Sequence, residues 1–165
     1  MFSGSLVAIV TPMLASGEID RAAWLRLLDL HLDNATAGVI VGGTTGESAT
    51  LLEAELRELT TTALEHVAGR MKVIAGAGTS STAESVARAR WLSALGVDGL
   101  LVVTPAYVKP TQEGLIRHFT AVAEASSVPI LLYNVPGRTA VDLLPPTVAR
   151  LATVLPDVRP AGKDD

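Results

Sequence analysis

The protein has 165 residues, no cysteine and a formal net charge of -4, with 48% hydrophobic and 18% charged residues. That length suits one domain with a sizeable core. The missing thiols exclude disulfides, thiolate metal sites and a cysteine nucleophile, and a mildly acidic chain without a basic cluster is a poor partner for nucleic acid.

The opening Met1-Phe2-Ser3-Gly4-Ser5 carries no positive n-region, and the apolar run Leu6–Val10 stops at Thr11-Pro12, too short for a signal peptide. No stretch approaches the roughly 20 apolar residues of a membrane span. The expectation is a soluble, cytoplasmic protein with no membrane partner.

Leu6–Val10 is rich in β-branched residues and reads as a buried strand. Asp20 suits an N-cap for a helix to about Asn34, in which Trp24, Leu27, Leu28 and Leu32 recur at helical spacing. Gly38–Val41 reads as a second strand followed by a glycine-threonine turn. Thr50-Leu51-Leu52-Glu53 has the form of a capping box and predicts a helix with Leu56, Leu59, Ala63 and Val67 inward, ended by Gly69. Val73–Ala75 is a third strand. Ser81-Thr82-Ala83-Glu84 is a second capping box, opening a helix that ends near Leu95-Gly96. Gly99–Val103 is a fourth strand, and Thr111 caps a helix with Leu115, Phe119 and Val122 inward. Pro129–Tyr133 is a fifth strand and Pro145–Leu155 a fifth helix. Five βα units of about 30 residues predict an α/β fold with a parallel sheet and helices outside. Two architectures fit: an open doubly wound sheet, which periodicity alone favours, or a (β/α)8 TIM barrel.

In either architecture the site forms at the carboxyl ends of the strands. The polar residues there are Thr11, Thr44-Thr45-Gly46-Glu47-Ser48, Thr79-Ser80, Tyr107, Tyr133, Asn134 and Arg138. Two tyrosines and a threonine pair suggest a proton relay, because hydroxyls both donate and accept. Gly42-Gly43-Thr44-Thr45-Gly46 is either a tight βα turn or an anion cradle of backbone amides; it lacks the lysine of a P-loop, which argues against a nucleotide. Arg138 is either a solvated loop arginine or a carboxylate clamp. Tyr107 can pack at a rim and Tyr133 in a core. Glu47 reads as a brace for the glycine turn. His31, His66 and His118 fall in separate helices without ligand spacing, so no metal is expected.

Taken together, Gly-Ser-Leu-Val-Ala-Ile-Val-Thr-Pro-Met (4–13), Gly-Gly-Thr-Thr-Gly-Glu-Ser-Ala-Thr (42–50), Val-Thr-Pro-Ala-Tyr (103–107), Pro-Thr-Gln-Glu-Gly-Leu (110–115) and Tyr-Asn-Val-Pro-Gly-Arg-Thr (133–139) resemble the dihydrodipicolinate synthases, pyruvate-dependent class I aldolase-type enzymes of lysine and diaminopimelate biosynthesis. The match runs in order to about residue 157. It implies a (β/α)8 barrel, of which residues 1–157 supply about five βα units, and a homo-oligomer, a tetramer in full-length members. It implies no cofactor. In the family a strand-six lysine forms a Schiff base with pyruvate, and the enamine attacks aspartate semialdehyde.

Carried over, Thr45 with Thr44 would hold the pyruvate carboxylate. Thr44, Tyr107 and Tyr133 would form the proton relay, with Tyr107 reaching an adjacent subunit's site. Arg138 would bind the semialdehyde carboxylate, which separates this branch from relatives acting on N-acetylneuraminate or keto-deoxy sugar acids. Ala106 and Val108 depart from the aromatic residue and the asparagine common in the family. Residues 158–165 read as an atypical tail at the position of strand six, where Arg159 and Pro160 suit a central strand poorly. Lys163, followed by Asp164, is either the Schiff-base lysine displaced by about one residue or a coincidental lysine in an out-of-register tail. The alternative readings are another pyruvate-dependent aldolase, of the N-acetylneuraminate lyase or keto-deoxy sugar acid type, or a non-catalytic barrel fragment.

Overall fold

A computed structural model describes residues 2–155, with side chains, and the backbone of 158–160. The chain forms two compact units, Met1–Gly76 and Ala77–Asp165.

The first unit holds strands β1 (Leu6–Ala8), β2 (Gly38–Val41) and β3 (Lys72–Gly76) with helices α1 (Arg21–Asp33) and α2 (Glu53–Val67). Pairing is parallel, Leu6 opposite Gly38 and Gly38 opposite Lys72. Val39, Val41, Val73, Ile74 and Ala75 are fully buried, the continuous apolar filling expected of a sheet covered on both faces. Trp24 and Leu28 of α1, and Leu56, Leu59, Ala63 and Val67 of α2, form the inner helix faces. Asp20 caps α1 as the sequence predicts, accepting from the Ala23 amide at 2.8 Å.

Two local readings are corrected here. β1 is only three residues long and half-buried: the run turns at Ile9, which is buried, and Val10 is exposed. Pro12, without an N–H, cannot extend the ladder. The capping box lies two residues beyond the expected one. Thr50 Oγ1 donates to the Glu47 carbonyl at 2.9 Å, and Glu55, not Glu53, accepts from the helix-start amide, that of Leu52, at 2.8 Å. The helix ends at Ala68, left-handed at φ 46°, ahead of Gly69.

The second unit holds α3 (Thr82–Leu95), β4 (Gly99–Val103), α4 (Gln112–Glu124), β5 (Ile130–Tyr133), α5 (Pro136–Thr139), α6 (Pro145–Val154) and β6 (Val158–Pro160). β4 and β5 pair in parallel, ending with Val103 opposite Tyr133, and β6 pairs in parallel with β5, placing Arg159 opposite Leu131. The tail expected at 158–165 thus begins as a short strand. Ser81 caps α3, accepting from the Glu84 amide at 3.3 Å, but only half a capping box forms: Thr79 Oγ1, not Glu84, accepts from the Ser81 amide, and Glu84 pairs with Arg88 at 3.0 Å. Thr111 caps α4, accepting from Gly114 at 3.2 Å. Leu115, Phe119 and Val122 are fully buried along α4. The four-residue α5, where the sequence suggested only a turn, starts with Pro136, a favourable first helical residue.

Candidate active site

In the first unit the site candidate is the turn after β2. It is built by close backbone approach. A Cβ at Gly42, whose φ is +60°, would overlap Leu56 of α2; one at Gly76 would overlap the Gly42 carbonyl; one at Gly46 would stand 2.9 Å from the Ile9 carbonyl oxygen. The buried Thr11 hydroxyl at the end of the first apolar run donates to the Gly46 carbonyl at 2.8 Å. Inside the turn the amides of Gly46 and Ser48 donate to the Gly43 carbonyl at 3.0 and 3.3 Å, and the Glu47 amide to Thr44 at 3.2 Å.

Over residues 44–48 every amide is thereby committed except those of Thr44 and Thr45, which donate to no carbonyl of the described residues. Thr44 is half-buried and Thr45 exposed. Two free amides beside two hydroxyls can meet a carboxylate. Glu47 braces the turn as expected, but through its backbone: at φ +59° its carbonyl accepts from the amides of Thr50 and Leu51.

In the second unit three loops follow strand ends. The loop after β4 presents Tyr107, 92% exposed, so it does not pack at a rim. Its φ is +71° and that of Lys109 +46°, backbone that a bulky side chain adopts only under constraint. The constraint comes from Ala106, whose carbonyl accepts from the Val108 amide at 2.8 Å and the Ser80 hydroxyl at 2.9 Å.

Tyr133 ends β5 and is half-buried. Arg138 stands on α5, exposed, and pairs with no carboxylate of the described residues. An exposed, unpaired guanidinium held on one turn suits a carboxylate from solution. Beneath it, Thr139 is buried and accepts from Thr104 Oγ1 at 3.1 Å. Asn134 binds Asp142 at 2.6 Å and accepts from the Leu143 amide at 3.0 Å. Gln112 of α4 donates to the Asp142 carbonyl at 2.8 Å and accepts from the Thr147 hydroxyl at 2.6 Å. Thr104, Gln112 and Thr139 fall inside the family motifs, but the sequence assigned them no role, because their partners lie 30 to 35 positions away.

The histidines make separate pairings, and only His118 is buried. His31 meets Thr36, His66 meets Asp29, and His118 meets Thr82 at 2.9 Å. Burial pushes the pKa of His118 down to about 4. Among the described residues no three His, Cys, Asp or Glu side chains gather as a metal would need, and no helix is long and apolar enough to cross a membrane. Lys163 lies outside the described residues.

The chain as a whole is similar to known proteins. The chain is 51% identical over 154 residues to the 4-hydroxy-tetrahydrodipicolinate synthase of Laribacter hongkongensis, covering 93% of this chain and 53% of that protein. It is 50% identical over 153 residues to that of Pseudoalteromonas atlantica. It superposes with a TM-score of 0.94 and 42% identity on the chloride-inhibited dihydrodipicolinate synthase from Acinetobacter baumannii complexed with pyruvate, covering 99% of this chain and 57% of that one. Against the Thermotoga maritima dihydrodipicolinate synthase the TM-score is 0.92 at 47% identity, with 96% and 53% covered. The chain therefore spans about half the length of the curated relatives it matches. Its five βα units have the α/β fold class of the (β/α)8 barrel proteins. The profile of the Dihydrodipicolinate synthetase family matches residues 1–160, and the chain belongs to that family.

Proposed function

We propose that this chain supplies the first five βα units, residues 1–157, of a cytoplasmic, oligomeric enzyme that condenses pyruvate with aspartate semialdehyde. A neutral lysine amine adds to the pyruvate ketone and loses water. The iminium then sheds a methyl proton, and the enamine carbon attacks the aldehyde. Lys163 is the candidate for that amine.

Thr44 and Thr45 hold the pyruvate carboxylate through their free amides and hydroxyls. Thr44, Tyr133 and Tyr107 pass protons, Tyr107 serving the site of an adjacent subunit in a tetramer. Arg138 receives the semialdehyde carboxylate. No cofactor takes part. The observation carrying this reading is that the candidate residues follow the carboxyl ends of β2, β4 and β5, in a chain whose family includes a structure holding pyruvate.

The test is a chimera joining residues 1–157 to the remaining half of the Laribacter hongkongensis synthase, assayed for condensation. We expect turnover that Thr44→Val and Tyr133→Phe each cut about a hundredfold, the range of general acid–base contributions. A folded, active chimera indifferent to both substitutions refutes the assignment.

A further inference from the structure

We propose that the buried hydroxyl pair Thr104–Thr139 is a positioning device that aims Arg138 at a carboxylate. The inference rests on the reading of Arg138 as the carboxylate clamp and deepens it.

Arg138 stands on a helix of four residues, three of them exposed. A single turn has little stability of its own, since the cost of nucleation is not recovered by propagation. Something outside the turn must hold the backbone that carries the guanidinium. The only buried residue of α5 is Thr139, adjacent to Arg138 and 2% exposed. Its hydroxyl accepts from Thr104 Oγ1 at 3.1 Å and has the carbonyls of Val141 at 3.0 Å and Val135 at 3.2 Å as acceptors for its one proton. Thr104 is fully buried, and its amide donates to the Tyr133 carbonyl at 3.0 Å. One residue therefore grips the strand end carrying Tyr133 with its backbone and the turn carrying Arg138 with its side chain.

Packing alone does not require these hydroxyls. Valine has the same shape, and a buried hydroxyl costs free energy that its hydrogen bonds only offset. What the hydroxyls add is direction: the chain Thr104 to Thr139 to a backbone carbonyl fixes both azimuth and distance, which two methyl groups in contact do not. Asn134, through Asp142 and Leu143, holds the far side of the same loop.

The test uses the full 165-residue chain, labelled with 15N and titrated with succinate semialdehyde, an aldehyde carrying one carboxylate. The Arg138 Nε–H resonance reports binding. Amide dispersion and thermal midpoint check the fold of each variant. We expect wild type and Thr139→Ser to bind alike, and Thr139→Val and Thr104→Val to bind roughly tenfold more weakly, the size of one lost hydrogen bond. The double valine variant should be no weaker than either single one, because the hydroxyls act as one chain. A merely structural role would lower the thermal midpoint in both valine variants, with serine restoring it, and would leave affinity in the folded protein unaltered throughout. Equal affinity in wild type and folded valine variants overturns the positioning role while leaving Arg138 a clamp. No response of Arg138 in wild type overturns the clamp reading and this inference with it. Should Thr139→Val not fold, Thr104→Val against Thr104→Ser makes the same comparison.

Discussion

At the scale of single residues, the glycines around the β2 turn carry a sharp consequence. A methyl group on Gly76 has nowhere to go, because the Gly42 carbonyl fills its place and is itself backbone. Gly76→Ala is expected to cost about 3 kcal/mol or more, the upper end for overpacking. A methyl group on Gly137, in the Arg138 turn, would meet nothing within 4 Å, so Gly137→Ala should change stability by less than about 1 kcal/mol, in either direction. Urea unfolding of both variants settles this; equal effects would refute the packing account. Arg138 allows a second prediction, in the chimera of residues 1–157 with the Laribacter half. Arg138→Ala should lower kcat/KM for aspartate semialdehyde about tenfold to hundredfold, the worth of a charge-assisted hydrogen bond, while borohydride still traps pyruvate. Loss of pyruvate trapping would show that the arginine serves the other substrate.

At the scale of elements, β2 and β4 match the predicted ranges residue for residue, and α1, α3 and α4 begin at the caps foreseen. Their signals are local: an apolar run, or a side-chain oxygen placed to receive a free amide. The α2 start was misplaced because Thr50 and Leu52 both precede a glutamate by three residues, and only packing decides between them. The α3–α4 interface holds His118, whose Nδ1 meets Thr82 while Nε2 is buried without a partner among the described residues. Burial pushes its pKa down to about 4 from 6.5. The unfolded chain therefore binds the proton more readily, so stability is full above pH 6.5 and falls as pH drops toward 4, by at most about 3 kcal/mol from this group. Denaturant unfolding at about pH 7 and about pH 4.5, either side of the ordinary histidine range, should show the fall in wild type and a clearly smaller one in His118→Leu. Parallel losses would clear the histidine of responsibility.

At the scale of the whole molecule, the βα alternation was legible because each period carries its own signal, yet periodicity favoured the open sheet over the barrel. The five motifs in order, not hydrophobic spacing, pointed to the barrel family, and the family match bears that out. Residue chemistry alone left Thr44, Thr45 and Arg138 open between structural and binding readings, and it was the family motifs that singled them out as candidates. The candidate site was invisible where ordinary threonines and amides gain their role from distant partners. A polypeptide of these 165 residues alone, about half its relatives' length, is expected to show at most residual condensation activity, because preorganised walls contribute much of such catalysis. Turnover near that of the Laribacter hongkongensis synthase would refute this. The ladder also bears on how the protein is made. Each parallel pairing joins strands roughly thirty residues apart, as with Leu6 and Gly38 or Leu100 and Ile130. Loops of that size close at modest entropic cost. β1 can therefore find β2 while the ribosome is still adding later residues, and synthesis at about 5–20 residues per second leaves one to several seconds between successive strands. Translation speed, rather than any search through the finished chain, would then set the order in which the ladder zips.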